Sequence, residues 1–446
     1  MIFIIVPLFS FITIIGSKYF LGKWINHLSV YSFIWMGLIL LYEWRLLPYV
    51  DIIPFTWFFI CLAFLSLILG SMTVILARRL YNQPSIFSCK NPIDIEIFKD
   101  KGLTIKYALI IFSLISILSA IQHWVVLIKM YDNIPGVLLN ANEIYRLNVR
   151  REIKDFIPYL PIMGYVGVFL SGIYTAHRGK FSFYTFLPFI GIILKELATV
   201  GRSGMLLALF EFIFSFLFVR NLLNNDSRNR YTFSKKNIAI SSFIIVLLFV
   251  FSASLVRISR VSSEYYSGTS RELKQLKNNL IITPTIYLYF SSDVGVLSEY
   301  LKAGGEEAML GQNTFLPFYD LFAKIGGIKR IDDVSRGYFI PMWSNTGTYL
   351  KELYSDFGIA GIVVAPYLLG ILCTWLWFRF YRTRSIISLV FLVYLNLIIV
   401  FSFLHMITRI GYWLISLIMI VFLIPILEKI SFRNYEAQQI NDKMEY

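Results

Sequence analysis

The sequence predicts an all-α polytopic membrane protein: about eleven transmembrane helices in one membrane-embedded domain over 1–446, with a large, partly helical outer-face loop at 257–357. Three observations predict it. Only 15% of the 446 residues are charged and 57% are hydrophobic, whereas roughly 25% of a soluble domain is charged. Mean hydropathy is +0.67, and 40 Phe, 28 Tyr and 9 Trp leave too little polar surface to coat a soluble particle. The apolar runs have the length of a helix crossing the ~30 Å hydrocarbon core and lack the alternation of barrel strands.

The first run, 1–17, has neither a basic leader nor a small-residue cleavage site, so it reads as a retained span and not as a signal peptide. Runs follow at 28–44, 54–77, 107–128, 157–176, 181–199, 203–219 and 237–256, and the last three lie at 358–378, 386–405 and 411–428. Lys and Arg in the short gaps set the orientation. Arg78, Arg79, Lys90, Lys99, Lys101, Lys106, Arg178 and Lys180 vote for the cytoplasm, and alternation adds Arg220 to Lys236, Arg379 to Arg384 and the tail from Glu428. Three segments are thereby expected on the outer face: 129–156, 198–203 and 257–357. A loop as long as the last is expected to fold. It carries helix-like stretches at 271–279 and 283–303, glycine pairs at Gly304–Gly305 and Gly326–Gly327, and an aromatic stripe through Phe315, Phe318, Tyr319 and Phe322.

The net charge of +14 sits mostly in gaps between spans, so topology explains much of it, and no nucleic-acid partner is expected. Cys61, Cys89 and Cys373 form no metal-ligand spacing or disulfide framework, so neither a metal nor a cofactor is expected. No GxxxxGK[ST] loop, HExxH or GxSxG elbow occurs, which removes the motif-bearing ATPases, zinc proteases and serine hydrolases.

Arginine on the outer face is the unusual feature, because basic residues are disfavoured there. Arg146 and Arg150 lie one helical turn apart, followed by Arg151; they form either a solvated amphipathic helix balanced by Glu143, Glu152 and Asp155 or an anion-binding surface. Gly201-Arg202-Ser203-Gly204 opens the seventh span, bringing a guanidinium to free helix N–H groups, which suits an anion as well as interfacial snorkelling. Arg257 and Arg260 leave the eighth span at i, i+3, and Arg271 follows. His405 and Arg409, four apart, share a face if the tenth helix continues through them. Histidine there can accept a proton while the arginine holds an oxyanion or phosphate. His27 and His177 read as cytoplasmic-loop residues and His123 as buried in a span, leaving His405 as the best base of the four histidines. Arginine forks bind diphosphate bidentately and keep their charge, so a lipid-linked phosphate substrate is expected. Tyr338, Phe339, Trp343, Tyr349 and Tyr354 are available either for packing or for stacking on sugars.

The chain resembles the Wzy-type O-antigen and oligosaccharide repeat-unit polymerases. The resemblance rests on the number of spans, on Gly201-Arg202-Ser203-Gly204 with the apolar 205–218, on the long loop before the last three spans, and on Asn-Thr-Gly-Thr-Tyr-Leu-Lys-Glu-Leu-Tyr-Ser-Asp-Phe-Gly from Asn345 to Gly358. It implies a GT-C-related fold in a bacterial inner membrane, with the active site on the outer face. The implied reaction transfers a growing glycan from undecaprenyl diphosphate onto a newly flipped repeat unit, itself on undecaprenyl diphosphate. A chain-length regulator and a flippase are the implied protein partners. By the same resemblance Arg202, Arg257, Arg260, Arg271 and Arg336 would stabilise the departing diphosphate. His405 would accept the acceptor hydroxyl's proton, with Asp293 or Glu299 as substitutes. The competing readings are an O-antigen ligase and a polysaccharide flippase or transporter. Transport would favour paired repeats and charged mid-span residues, but few ionisable residues fall mid-span, Glu211 being the main exception, with Lys195 and Glu196 nearer a span end, and the large outer loop is unnecessary for transport.

Overall fold

The computed structural model describes residues 2–81, 95–150, 152–153, 155–223, 284–306, 308–327, 337–340 and 343–444. Each expected span that falls on described residues coincides with a helix; the one at 237–256 lies outside them. In chain order these helices are α1 (Ile2–Leu21), α2 (His27–Glu43), α3 (Pro54–Leu80), α4 (Leu103–Tyr131), the short α5 (Ile134–Leu139) and α6 (Ala141–Val149), α7 (Ile162–Arg178), α8 (Phe183–Thr199) and α9 (Ser203–Leu223). After the undescribed stretch come α10 (Pro284–Ser291), α11 (Asp293–Lys302), α12 (Leu316–Lys324), a two-stranded antiparallel ribbon of β1 (Tyr338–Phe339) and β2 (Trp343–Ser344), α13 (Tyr349–Thr383), α14 (Ile386–Phe401) and α15 (Gly411–Met444). Among the described residues, α1, α3, α4, α9, α13 and α15 are long and apolar enough to cross a membrane, and α2 and α14 are shorter apolar helices. The chain is an all-α membrane protein.

Local chemistry sets the helix boundaries. Asn26 caps α2 by accepting from Ser29 N at 3.0 Å, and Pro54 starts α3 where its missing N–H costs nothing. Asp100 accepts from Gly102 N at 3.0 Å and Thr104 N at 2.8 Å at the start of α4. Ser182 and Thr185 form a capping box on α8, and Gly179 in the left-handed region ends α7.

The described chain divides into two compact units. The first draws on Met1–Ser85, Glu264–Phe378 and Leu395–Leu414. Its core joins Tyr31, Trp35, Tyr42 and Phe59 to Val294, Leu297, Tyr349 and Leu350. Two glycines bring α3 and α13 backbone to backbone: a Cβ on Gly70 would stand 2.0 Å from Tyr367 O, and one on Gly370 would stand 2.3 Å from Leu67 O. Small residues at such crossings are what helices use where lipid supplies no hydrophobic drive. The second unit draws on Ile86–Ser263, Arg379–Tyr394 and Ile415–Tyr446. In it α4 meets α7 and α8 over Ser116, which would lie 2.6 Å from a Cβ on Gly164 and 2.3 Å from one on Gly191.

The structure differs from the sequence reading at four places. The stretch 283–303 is two helices broken at Ser292. The ninth span begins earlier than its apolar run: α13 starts at Tyr349 and kinks at Gly358, whose φ of 61° and ψ of −148° suit glycine alone. α14 stops at Phe401, followed by a 3₁₀ turn at Ile407–Arg409, so His405 and Arg409 do not share one continuous helix face. His27 and His177 are helical, not loop residues: His27 is buried and bonds Ser71 and Thr374, and His177 stacks on Phe98.

Candidate functional site

In the first unit, charged side chains gather where α13 begins. The backbone of Tyr349 donates to Ser402 O at 2.8 Å, its hydroxyl meets that of Tyr31 at 3.1 Å, and Trp35 Nε1 donates to Ser402 Oγ at 3.1 Å. These bonds fix the first turn of α13 against the segment after α14. Glu352 then receives the Arg409 guanidinium at 2.5 Å and also the backbone N–H of Met406. Lys351, one residue earlier and buried, lies over the rings of Tyr338 at 5.3 Å and Tyr300 at 5.6 Å, a cation–π arrangement.

His405 lies beyond the end of α14 and four residues before Arg409. Its ring faces Phe401 at 5.6 Å, and its Nε2 is enclosed with no hydrogen-bond partner. Burial drives its pKa down to about 4; the Glu352 carboxylate opposes that and the Arg409 charge adds to it. The imidazole is therefore neutral at pH 7. Asp293, on α11, is pushed in the opposite direction: burial raises its carboxyl well above the usual range, offset in part by the Thr346 hydroxyl. Burial thus shifts the imidazole and the carboxyl in opposite directions, each toward its neutral form.

Asp356 organises the loop beside this cluster. It accepts from Asn313 N at 2.9 Å, Asn313 Nδ2 at 2.8 Å, Thr314 N at 2.7 Å and Thr314 Oγ1 at 2.7 Å. Thr408 Oγ1 donates to Thr314 O at 2.9 Å, so the 405–409 segment and the 310–315 turn are tied to the same helix start.

In the second unit, Gly201-Arg202-Ser203-Gly204 opens α9 as expected, but its amide end already has an anion. Gly204 N donates to Glu196 Oε2 at 3.1 Å, and a Cβ on Gly204 would fall 2.5 Å from Glu196 Oε1. The glycines are present because Glu196 presses on them. The preceding Val200 is held at φ 56°, a strained conformation for a β-branched residue. Arg202 itself is half-buried. Arg146 and Arg150 are exposed on and just after α6, and Arg150 Nη1 lies 3.9 Å from Glu152 Oε1, the geometry of a solvated amphipathic helix. Arg257, Arg260, Arg271 and Arg336 lie outside the described residues.

The structure also assembles a group that the sequence reading set aside. His123 Nδ1 bonds Asp155 Oδ1, while Lys195 Nζ holds Asp155 Oδ2 at 3.0 Å. Burial alone would raise the Asp155 pKa, but the His123 bond and the Lys195 charge outweigh it and hold the carboxyl below its ordinary range. His123 Nε2 is enclosed without a hydrogen-bond partner. The signal available in sequence was Asp155 and Lys195 near the ends of neighbouring expected spans.

Lys351, Glu352 and Asp356 were likewise unmarked as site residues, although the resemblance motif contains all three. No protein-family model, no curated protein and no solved structure matches the chain.

Proposed function

We propose that this chain is a membrane glycosyltransferase that polymerises undecaprenyl-diphosphate-linked repeat units into O-antigen or a related surface polysaccharide. In this reading it has about eleven spans in a GT-C-related architecture, sits in a bacterial inner membrane and works on the outer face. The observation that carries the reading is the enclosed cluster of His405, Arg409, Glu352 and Lys351 where α13 begins, inside the segment on which the family resemblance rests. A neutral, partnerless imidazole nitrogen beside fixed cations is what a glycosyl transfer to a hydroxyl asks for.

The chemistry balances without a cofactor. The acceptor hydroxyl oxygen attacks the donor's anomeric carbon, its proton passes to His405 Nε2, and the bond from that carbon to the diphosphate oxygen breaks. Arg409 is the described cation proposed for the developing charge beside His405; on the family resemblance alone, Arg202, Arg257, Arg260, Arg271 and Arg336 are proposed to hold the diphosphate and Arg146 and Arg150 the glycan. A transporter reading is less well supported: the mid-span Glu211 takes the Tyr394 hydroxyl at 2.8 Å, Lys195 is paired with Asp155, and Glu196 caps α9.

The test is a gel of surface glycans from a strain lacking the gene and from the complemented strain. Core plus a single repeat unit in the deletion, with the ladder restored on complementation, is the expected result. Absence of any repeat unit on the core moves the lost step to transfer or export and favours a ligase or flippase. Complementation with His405→Ala, Arg202→Ala, Arg257→Ala or Arg260→Ala is expected to give inserted protein and no ladder.

A further inference from the structure

Outside the helices long enough to span, α12 presents a mostly apolar face to its surroundings. Phe315, Phe318, Leu321, Phe322 and Ile325 recur at helical spacing on one side, and they are 50%, 48%, 54%, 57% and 74% exposed. Asp320 and Lys324 rotate to the other side at 3.6 residues per turn. Leu316 alone is buried within the helix. The result is a nine-residue amphipathic helix with its apolar stripe uncovered among the described residues.

The level at which this stripe is held identifies what covers it. Asp356 binds Asn313 and Thr314 directly before Phe315, Ala308 N donates to Ser355 O at 3.1 Å, and Tyr319 OH donates to Leu310 O at 2.7 Å. These contacts tie α12 to the last residues of α13 before Gly358. The exposed apolar series of the span itself starts one residue after that glycine, with Ile359, Val364, Leu368, Leu372 and Trp375. The tether therefore ends where the lipid-facing series begins, at the boundary between headgroups and hydrocarbon.

We infer that α12 is an interfacial helix whose Phe315, Phe318, Leu321, Phe322 and Ile325 face is inserted into the bilayer at the leaflet where the α13 span begins. The occupant is lipid, because an apolar stripe continuous in level with a lipid-facing span meets acyl chains and glycerol backbones before any protein. Thr408 joins the same turn to the 405–409 segment, so insertion also sets the height of His405 and Arg409 relative to the membrane surface. The inference does not depend on the glycosyltransferase reading.

The experiment uses the full chain in phospholipid nanodiscs with Cys61, Cys89 and Cys373 replaced by Ser. Spin labels go singly at Phe318→Cys, Phe322→Cys and Lys324→Cys, and their collision rates with oxygen and with a water-soluble nickel complex are measured. Expected is high oxygen and low nickel access at 318 and 322, with the ratio reversed at 324. Nickel access at 318 and 322 equal to that at 324 overturns the inference. Low access to both reagents at 318 and 322 also overturns it, since a protein surface then covers the face. A second measurement needs no substitution: the unaltered chain is photolysed in vesicles containing a phospholipid with a diazirine high on its acyl chain. Adducts within 315–325 are expected, and their absence alongside adducts on the α13 span counts against insertion.

Discussion

Glu352 and Arg409 lie 57 residues apart in sequence and meet at 2.5 Å, with side chains only 6% and 11% exposed. This pair joins the first turn of α13 to the 3₁₀ turn before α15. Removing one partner leaves an uncompensated buried charge, so Glu352→Ala or Arg409→Met alone is expected to cost about 3–5 kcal/mol. The double variant Glu352→Ala/Arg409→Met is expected to cost less than the sum of the singles. Thermal unfolding of all four proteins in nanodiscs decides it; strictly additive losses would mean that the two charges do not act as a pair.

The buried imidazole of His405 predicts a pH dependence with a definite sign. Its ordinary pKa of 6.5 falls to about 4 in the folded chain. Between those values the unfolded chain binds the proton and the folded chain does not, so stability rises with pH across the window from 4 to 6.5. Asp155 acts lower on the scale. Its folded pKa is depressed, so its contribution is present above the ordinary 3.8 and is lost as pH falls through the folded value. His177 is held at about 4 as well, so His405→Gln is expected to lessen, not abolish, the slope of the melting-temperature profile between pH 4 and 6.5 and to leave the fall below it. An unchanged slope would assign the dependence to other groups.

Asp356→Ala removes the acceptor of four hydrogen bonds to Asn313 and Thr314. Each bond to a charged group is worth about 1.5–3 kcal/mol, and two of the donors are the backbone amides of Asn313 and Thr314. Hydrogen exchange at 313 and 314 is expected to accelerate by tenfold or more, while that of the α4 interior stays unchanged. Asp356→Asn is expected to fall between the two proteins, because one amide oxygen can still accept.

Gly204→Ala places a methyl group against the Glu196 carboxylate, 2.5 Å from Oε1 and closer than any real contact. A loss of about 1–3 kcal/mol is expected, the range for an overpacked interior. Glu196→Asp shortens the opposing side chain and is expected to recover part of it in the double variant. Denaturation of the single and double variants measures the rescue, and identical stability of the two would place the strain elsewhere.

How much of this was readable in advance depends on the range of the interaction involved. Helix positions were readable because an apolar run of fixed length is a local signal: 54–77 and 203–219 match α3 and α9 within a few residues. The helix ends next to the site were not. Whether α14 carries on past Phe401 is decided by Tyr349, Trp35 and Glu352, which engage Ser402 and Met406 from far away in sequence. The Gly201–Gly204 turn was recognised as a glycine-rich helix start, but its anion turned out to be Glu196, a partner eight residues from Gly204 that spacing alone does not assign. His123 looked inert because a histidine inside an apolar run has no visible partner until the loop bearing Asp155 folds over it.

Gly358 divides α13 mechanically. Residues 349–357, which carry Lys351, Glu352 and Asp356, form a short lever on one side of a joint whose backbone angles interrupt the helical ladder. The lever is bolted to the loops by side-chain bonds, whereas the long arm below it is clasped to α3 through the Gly70 and Gly370 contacts. A rod without that joint would carry every tilt or stretch of the span straight into the charged cluster. With it, the two segments of α13 are held by separate sets of contacts, the short one by the loops and the long one by α3. Gly358→Ala, which stiffens the joint only at the cost of a strained φ, would expose the site to the mechanics of the membrane.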